Sequence, residues 1–258
     1  MEPNQNQEDL PANLYLQPKF CPAGSGWRWI TDAFAMFKVN WLIWIVMILI
    51  WIAIMLISSM LPLVNMIASV FGPIFTGGMM LGAAAQDEGK DLRVTHLFDG
   101  FKEPLRPLFT LGVLYLLGFF LAMMATGLLM VLLLGGDSAQ QMMQGMEQGI
   151  HPDAASASIA MLLAPLLMML LVLPLVMALW FSPALVVFHK MPAFDAMKLS
   201  VSACLANMLP FTLYGLMAIL LGIVAAIPFF LGFLVFFPMM FISQYLSYKE
   251  VFFIKGSL

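Results

Sequence analysis

Charged side chains are scarce in this sequence: 10% of its 258 residues, against 62% hydrophobic ones. Soluble domains carry about 25% charged residues, so the chain has too little polar surface to cover a water-exposed globule of its size. Mean hydropathy is +0.97, and lipid as solvent accounts for it. About 20 apolar residues in helix cross the roughly 30 Å hydrocarbon layer, where every backbone group must be paired internally, by helices or a closed barrel. Runs such as WLIWIVMILIWIAIML have no period of two, which excludes barrel strands and leaves helices.

Cysteine is nearly absent. Cys21 and Cys204 are the two in the chain, too few for a disulfide framework. KFCPAG lacks the residues of a lipoprotein cleavage site, and Cys204 reads as a small packing residue. Met1 to Gln17 has no apolar core and so does not read as a signal peptide. A net charge of −3 with no basic patch gives no reason to expect nucleic acid.

Catalytic signatures are missing too. His96, His151 and His189 are scattered, and no HExxH, GxSxG or glycine-rich phosphate loop occurs. No ionisable group lies inside an expected span, which argues against a proton-coupled pump. The polar atoms in or near the layer are Asn65, Thr76, Thr126, Thr212 and Gln244, all within reach of neighbouring helices. Thioethers and imidazole suit Cu(I), but Met142, Met143, Met146 and His151 cluster in a chain with 24 methionines. They are read as part of a flexible outer loop. No catalytic residue, cofactor or metal is expected.

What the sequence does contain is long apolar runs. Six spans are expected: Trp41–Leu61, Leu63–Ala85, Leu108–Leu134, Ile159–Phe188, Met208–Ile227 and Phe229–Ser247. The positive charges orient them. All eleven Lys and Arg fall before the first span (Lys19, Arg28, Lys38), after the second (Lys90, Arg93, Lys102, Arg106), after the fourth (Lys190, Lys198) or after the sixth (Lys249, Lys255). The opposite connections have none; the longest, Gly135 to Ser158, carries only Asp137, Glu147 and Asp153. The positive-inside rule then places both termini in the cytoplasm, with an even number of spans.

The three positively charged entries look alike. TDAFAMFKVNWLIWIV, FDGFKEPLRPLFTLGV and FDAMKLSVSACLANMLPFTLYG each place an acid (Asp32, Asp99, Asp195) before a mixed segment and a span. Each following span holds Phe-x-Pro: Phe71-Gly-Pro73, Phe181-Ser-Pro183 and Phe236-Phe-Pro238. Asp32 to Pro73 is 41 residues and Asp195 to Pro238 is 43. The expected fold is therefore all-α, with three parallel-repeat hairpins (about 27–90, 95–190 and 192–250), each preceded by a cytoplasmic interfacial amphipathic helix. Residues 23–250 form one membrane domain, between a disordered tail, 1–22, and a short tail, 251–258. In the first entry Trp27, Ile30, Phe34, Phe37 and Trp41 share one helical face, with Arg28, Asp32 and Lys38 off it.

The expected site residues are architectural. Pro73, Pro183 and Pro238 mark a shared bend, and Gly78 and Gly82 give a small-residue face for helix packing, with Gly222 and Ala226 another. His189, Lys190, Lys198 and Arg28 are expected to face lipid headgroups by snorkelling or meeting phosphate. In WFSPALVVFHK the histidine has no counterpart in the other two motifs, where Met79 and Gln244 stand in register, so a boundary role is preferred to catalysis.

AMKLSVSACLANMLPF, with Ala196, Lys198, Ser200 and Asn207, resembles the YciC-like multipass inner-membrane proteins and their proteobacterial relatives, as does AGSGWRWITDAFAMFKVNWLIWI from Ala23. The resemblance implies a bacterial cytoplasmic-membrane protein connected with envelope upkeep, and it carries over no catalytic or ligand residues. Two functions compete. One is a non-enzymatic scaffold or accessory protein, with membrane lipids and a second copy or another membrane protein as partners. The other is a carrier or channel for a lipid or other apolar molecule, with Pro165, Pro174 and Pro183 opening a lateral cleft.

Overall fold

The structure, a computed structural model, describes residues 17–102, 104–134 and 154–252. Most of the amino-terminal tail, the outer loop with Met142, Met143, Met146 and His151, and residues 253–258 lie outside the described residues. Among the described residues there are ten α-helices, one 3-10 helix and no strand. Four helical stretches are long and apolar enough to cross a membrane: Trp41–Ser59, Leu105–Leu132, Leu162–His189 and Met208–Ala226. A fifth candidate is a pair of helices, Val64–Val70 and Gly72–Asp87, bent by 43°. The expected sixth span, Phe229–Ser247, falls on a separate helix, Phe233–Phe252, whose second half carries Ser, Gln, Tyr, Lys and Glu.

The chain divides into two compact units, residues 1–112 with 178–258, and residues 113–177. The larger begins with α1 (Ser25–Val39), which ends at Asn40. α2 (Trp41–Ser59) follows at once. Pro62 opens α3 (Pro62–Val70), where a missing N–H costs nothing, and Phe71 separates it from α4 (Gly72–Asp87). The 3-10 helix Val94–Phe101 leads to α5 (Leu105–Leu134). After α6 (Ala154–Trp180) come α7 (Ser182–His189), α8 (Ala193–Ala206), α9 (Met208–Ala226) and α10 (Phe233–Phe252).

In the smaller unit, the parts of α5 and α6 within 113–177 pack directly on each other. Thr126 Oγ1 lies 3.7 Å from Met168 Sδ, and a Cβ on Gly118 would press on Leu175 Cδ2 at 2.5 Å. α6 runs unbroken through Pro165 and Pro174, as membrane helices tolerate.

Two of the three charged segments are α-helices followed directly by a long apolar helix. α1 ends at Asn40 (φ −128°, ψ 39°) before a 19-residue helix, and α8 ends at Asn207 (φ −120°, ψ 33°) before another of 19 residues. The middle entry differs: it is a 3-10 helix, not an α-helix. Pro104 and Pro107 follow it closely, and neither can supply the N–H that would continue an α-helical ladder from the preceding turn.

The Phe-x-Pro motifs also diverge. At Phe71 and Phe181 the helix breaks and Pro73 or Pro183 opens the next one. Pro238, by contrast, sits inside the continuous α10. A helix break thus accompanies two of the three motifs, with a bend of 43° at the first. The division of Met208 to Ile242 is unambiguous: the chain turns at residues 227–232, with Phe229 and Phe230 at φ 49° and 64°. Gly232 permits that turn, because a Cβ there would stand 2.5 Å from Ala225 Cα.

The face that α1 packs on the protein shares only Ile30 and Phe37 with its aromatic face. α1 buries Ser25, Gly26, Trp29, Ile30, Ala33 and Phe37, and leaves Trp27, Phe34 and the adjoining Trp41 exposed. α8 likewise buries Ala193, Ala196, Ser200, Ala203 and Cys204, and exposes Phe194. Small residues give close backbone approach where the driving force is packing. Trp29 and Phe37 pack inside with them, and the exposed Trp27, Phe34 and Trp41 suit a helix lying in a headgroup plane.

Candidate functional site

Most of the polar chemistry of the larger unit is placed where one helix grips another. The clearest instance is Glu250, near the end of α10. Its Oε1 accepts from Ser25 Oγ and from an Arg28 guanidinium N–H, each at 2.8 Å, and its Oε2 accepts from Trp29 Nε1 at 2.7 Å. Ser25 and Trp29 are buried, whereas the Arg28 side chain is 55% exposed. A carboxylate takes all three donors because each oxygen offers two lone pairs. Trp29 also packs against Phe211 and Tyr214 of α9, with centroids 5.2 and 6.2 Å away. Gly26 allows this contact, since a Cβ there would collide with the Pro210 carbonyl.

Asn207 fixes the segment before α1. Its Oδ1 accepts from the Cys21 N–H at 2.8 Å, while Nδ2 donates to the Lys19 carbonyl at 2.9 Å and the Ala203 carbonyl at 3.0 Å. Lys19 N–H donates in turn to the Val251 carbonyl at 2.9 Å. Burial first, and the Glu250 charge second, push the Cys21 thiol up to about 11, against the smaller pull of Lys19 and Arg28.

The break at Phe181 is held by side chains from two other helices. Phe181 N–H donates to Ser200 Oγ at 3.0 Å, and the Trp180 carbonyl accepts from Gln244 Nε2 at 2.6 Å. Ser182 Oγ donates back to the Ala178 carbonyl, and Trp180 Nε1 donates to Ser247 Oγ at 3.3 Å. The Phe181 N–H and the Trp180 carbonyl at this break are thus paired by α8 and α10, as a break among apolar helices requires.

A third cluster joins the ends of α4, α7 and α10. Asp87 Oδ2 accepts from Tyr245 Oη at 2.9 Å and from Lys249 Nζ at 2.5 Å. The Tyr248 hydroxyl lies 2.6 Å from His189 Nε2. One residue back, Gln86 accepts from Trp44 Nε1 at 2.8 Å and donates to the Met36 carbonyl at 2.6 Å. A cavity of about 120 Å³ opens among Asp87, Glu88, Phe188, Tyr245 and Tyr248.

The residues singled out in the sequence are scattered over these features. Pro73 and Pro183 open helices at breaks and Pro238 lies within one. Gly78 and Gly82 face the 3-10 helix: a Cβ on Gly78 would meet the His96 and Leu97 carbonyl oxygens at 2.5 and 2.6 Å, and one on Gly82 would meet Leu92 Cδ1 at 3.0 Å. Arg28 grips Glu250, and His189 meets Tyr248. Lys190 is the exposed left-handed residue capping α7, at φ 52°. The Lys198 ammonium stands 4.4 Å over the Phe194 ring, as that of Lys38 stands 5.0 Å over Phe34.

Trp29, Gln86, Asp87 and Glu250 escaped the sequence reading. Glu250 carried one signal, an acid next to Lys249 at the end of an apolar helix, but its partners lie more than 200 residues away.

The three entry segments share one relation to the rest of the larger unit. The 3-10 helix packs on α4, the helix that precedes it; α8 packs on α7, which precedes it; and α1 packs on α10, the last helix. The small residue after each aligned acid, Ala33, Gly100 and Ala196, is buried. At Gly100 a Cβ would collide with the Ile74 carbonyl of α4.

No family model and no solved structure matches the chain. It is 27% identical over 205 residues to a protein of Burkholderia thailandensis named a probable inner membrane protein, across 78% of this chain and 75% of that one. With its several long apolar helices, this likeness supports a bacterial multipass inner-membrane protein.

Proposed function

We propose that the chain is a six-span, non-enzymatic scaffold or accessory protein of membrane and envelope homeostasis, with both termini in the cytoplasm. α10 supplies the sixth crossing with the turn at 227–232, and the chain is three repeats of entry segment and hairpin. One observation carries the reading. Each entry segment grips the return helix of the unit before it, and the first grips the last, through α1 on α10, the 3-10 helix on α4 and α8 on α7. Glu250, Asn207, Ser200 and Gln244 pair donors and acceptors on segments far apart in the sequence or on separate helices, and so serve assembly. The outward aromatics Trp27, Phe34, Trp41 and Phe194, with Lys38 and Lys198 beside them, suit a headgroup plane and the flank of a second copy or another membrane protein.

The test is isolation of the tagged chain from native membrane after cross-linking, with proteins and lipids both identified. A second copy or a defined membrane-protein partner at fixed stoichiometry is expected. A single apolar lipid species held without any protein partner would favour the carrier reading instead. Orientation is checked by a reporter after Leu258: periplasmic activity there would overturn the six-span arrangement.

A further inference from the structure

We infer that the crevice between the ends of α4, α7 and α10 binds the headgroup of an ethanolamine phospholipid. Its walls are aromatic. Phe188 and Tyr248 stack at 5.4 Å with an interplanar angle of 18°, and Tyr245 stands 6.2 Å from Phe188. Its rim is charged, with the carboxylates of Asp87 and Glu88 and the ammonium of Lys249 all lining the same cavity of about 120 Å³. Aromatic faces beside carboxylates attract a cation by quadrupole and by charge. Lys249, 38% exposed, offers a positive partner for a phosphate one short linker away. A headgroup with an ammonium at one end and a phosphate at the other matches both halves of the rim.

The acceptor pattern narrows the choice among headgroups. Both contacts to Asp87 fall on Oδ2, from Tyr245 and Lys249, which leaves the Oδ1 lone pairs for an incoming donor. Glu88 receives Lys90 on Oε2 at 2.5 Å, from outside the cavity. A primary ammonium brings three N–H donors to such oxygens, whereas a trimethylammonium brings none. Inside the cavity two carboxylates face one ammonium, so an anionic glycerol headgroup meets repulsion. The inference rests on the six-span reading only in placing these helix ends at headgroup depth.

The experiment is native mass spectrometry of the full chain in mild detergent, with equimolar ethanolamine, choline and glycerol phospholipids of identical acyl chains. Retention of the ethanolamine lipid about threefold above the other two is expected, the ratio that one net N–H hydrogen bond to a carboxylate supports. Stepwise N-methylation should lower retention at each step. Asp87→Asn with Glu88→Gln should bring the ethanolamine lipid to the choline level, Phe188→Leu should lower retention of both together, and Asp32→Asn on α1 should leave the preference intact. Equal retention of all three headgroups by the unaltered chain overturns the inference, and so does an equal loss in Asp32→Asn. Displacement of the lipid by millimolar soluble phosphoethanolamine would refute a lipid as the source. Because the unaltered chain is measured without partners, failure here leaves the scaffold reading standing, and failure to find a protein partner leaves this one standing.

Discussion

Replacing Glu250 separates two accounts of how α1 is held. Arg28 and Glu250 form an ion pair at 2.8 Å, but the Arg28 side chain is 55% exposed and that of Glu250 32% exposed. Exposed pairs contribute about 0–1 kcal/mol. The buried donors matter more: Trp29, which is 2% exposed, directs its indole N–H at Oε2, and Ser25, at 0%, directs its hydroxyl at Oε1. Glu250→Ala leaves that indole N–H unpaired, at about 1–3 kcal/mol, and also removes a charge-assisted bond from Ser25. The sum should be about 2–4 kcal/mol. Glu250→Gln keeps one oxygen for Trp29 and turns its amide toward Ser25, whose hydroxyl can accept; about 1 kcal/mol is expected. Arg28→Ala should cost less than about 1 kcal/mol. At about 2–4 °C per kcal/mol for a chain of this size, the three variants should lose about 4–16, 2–4 and under 4 °C. Size-exclusion chromatography after graded heating in detergent reads this order. If Arg28→Ala falls as far as Glu250→Ala, the ion pair is the grip and the reasoning from buried donors fails.

Asn207→Ala removes three hydrogen bonds from a buried side chain and should cost about 2–3 kcal/mol, with faster amide exchange at Cys21; Asn40→Ala, at the matching helix junction, should cost under about 1 kcal/mol. Gly100→Ala drives a Cβ into the Ile74 carbonyl of α4 and should destabilise by about 1–3 kcal/mol or more. Gly127→Ala in α5, with open space around it, should stabilise by about 0.5–1 kcal/mol, and the same heating assay compares the two. Cys21, raised to about 11, should alkylate at pH 8 about a hundredfold more slowly than a thiol of pKa near 9, because only the thiolate reacts. Its rate should climb about tenfold per pH unit until pH nears 11; a plateau by pH 9 would contradict the burial beside Glu250.

The apolar helices were legible because lipid imposes length and composition on them directly. Trp41–Ser59 and Met208–Ala226 end within two residues of the expected boundaries. The entry helices were legible only in part. The face drawn through Trp27, Ile30, Phe34, Phe37 and Trp41 names headgroup anchors and does not say which residues pack on the protein. In a lipid setting small residues mark the contact, so Trp27 and Phe34 turn outward while Ser25, Gly26 and Ala33 turn in. The Phe-x-Pro motif was visible as a pattern, but whether proline opens a helix or sits inside one depends on what pairs the freed backbone. At Phe181 that is Ser200 and Gln244, from helices the local sequence does not name. Glu250 lay beyond reach for the same reason.

The gripping contacts also bear on the order in which the chain is assembled. The 3-10 helix meets α4 and α8 meets α7, partners already made when each segment emerges, so these contacts close over short loops at small entropic cost. α1 is the exception. Gln86 of α4 reaches its Met36 carbonyl early, but Pro210 and Tyr214 on α9 and Glu250 on α10 are synthesised last. Until then the Trp29 indole N–H lacks its acceptor and Gly26 lacks the Pro210 backbone it packs on, while the exposed Trp27, Phe34 and Trp41 suit a headgroup layer. The outward aromatics thus give α1 a place to wait, and the inward small residues give it a place to dock. The Glu250 contact is then the step that closes the larger unit.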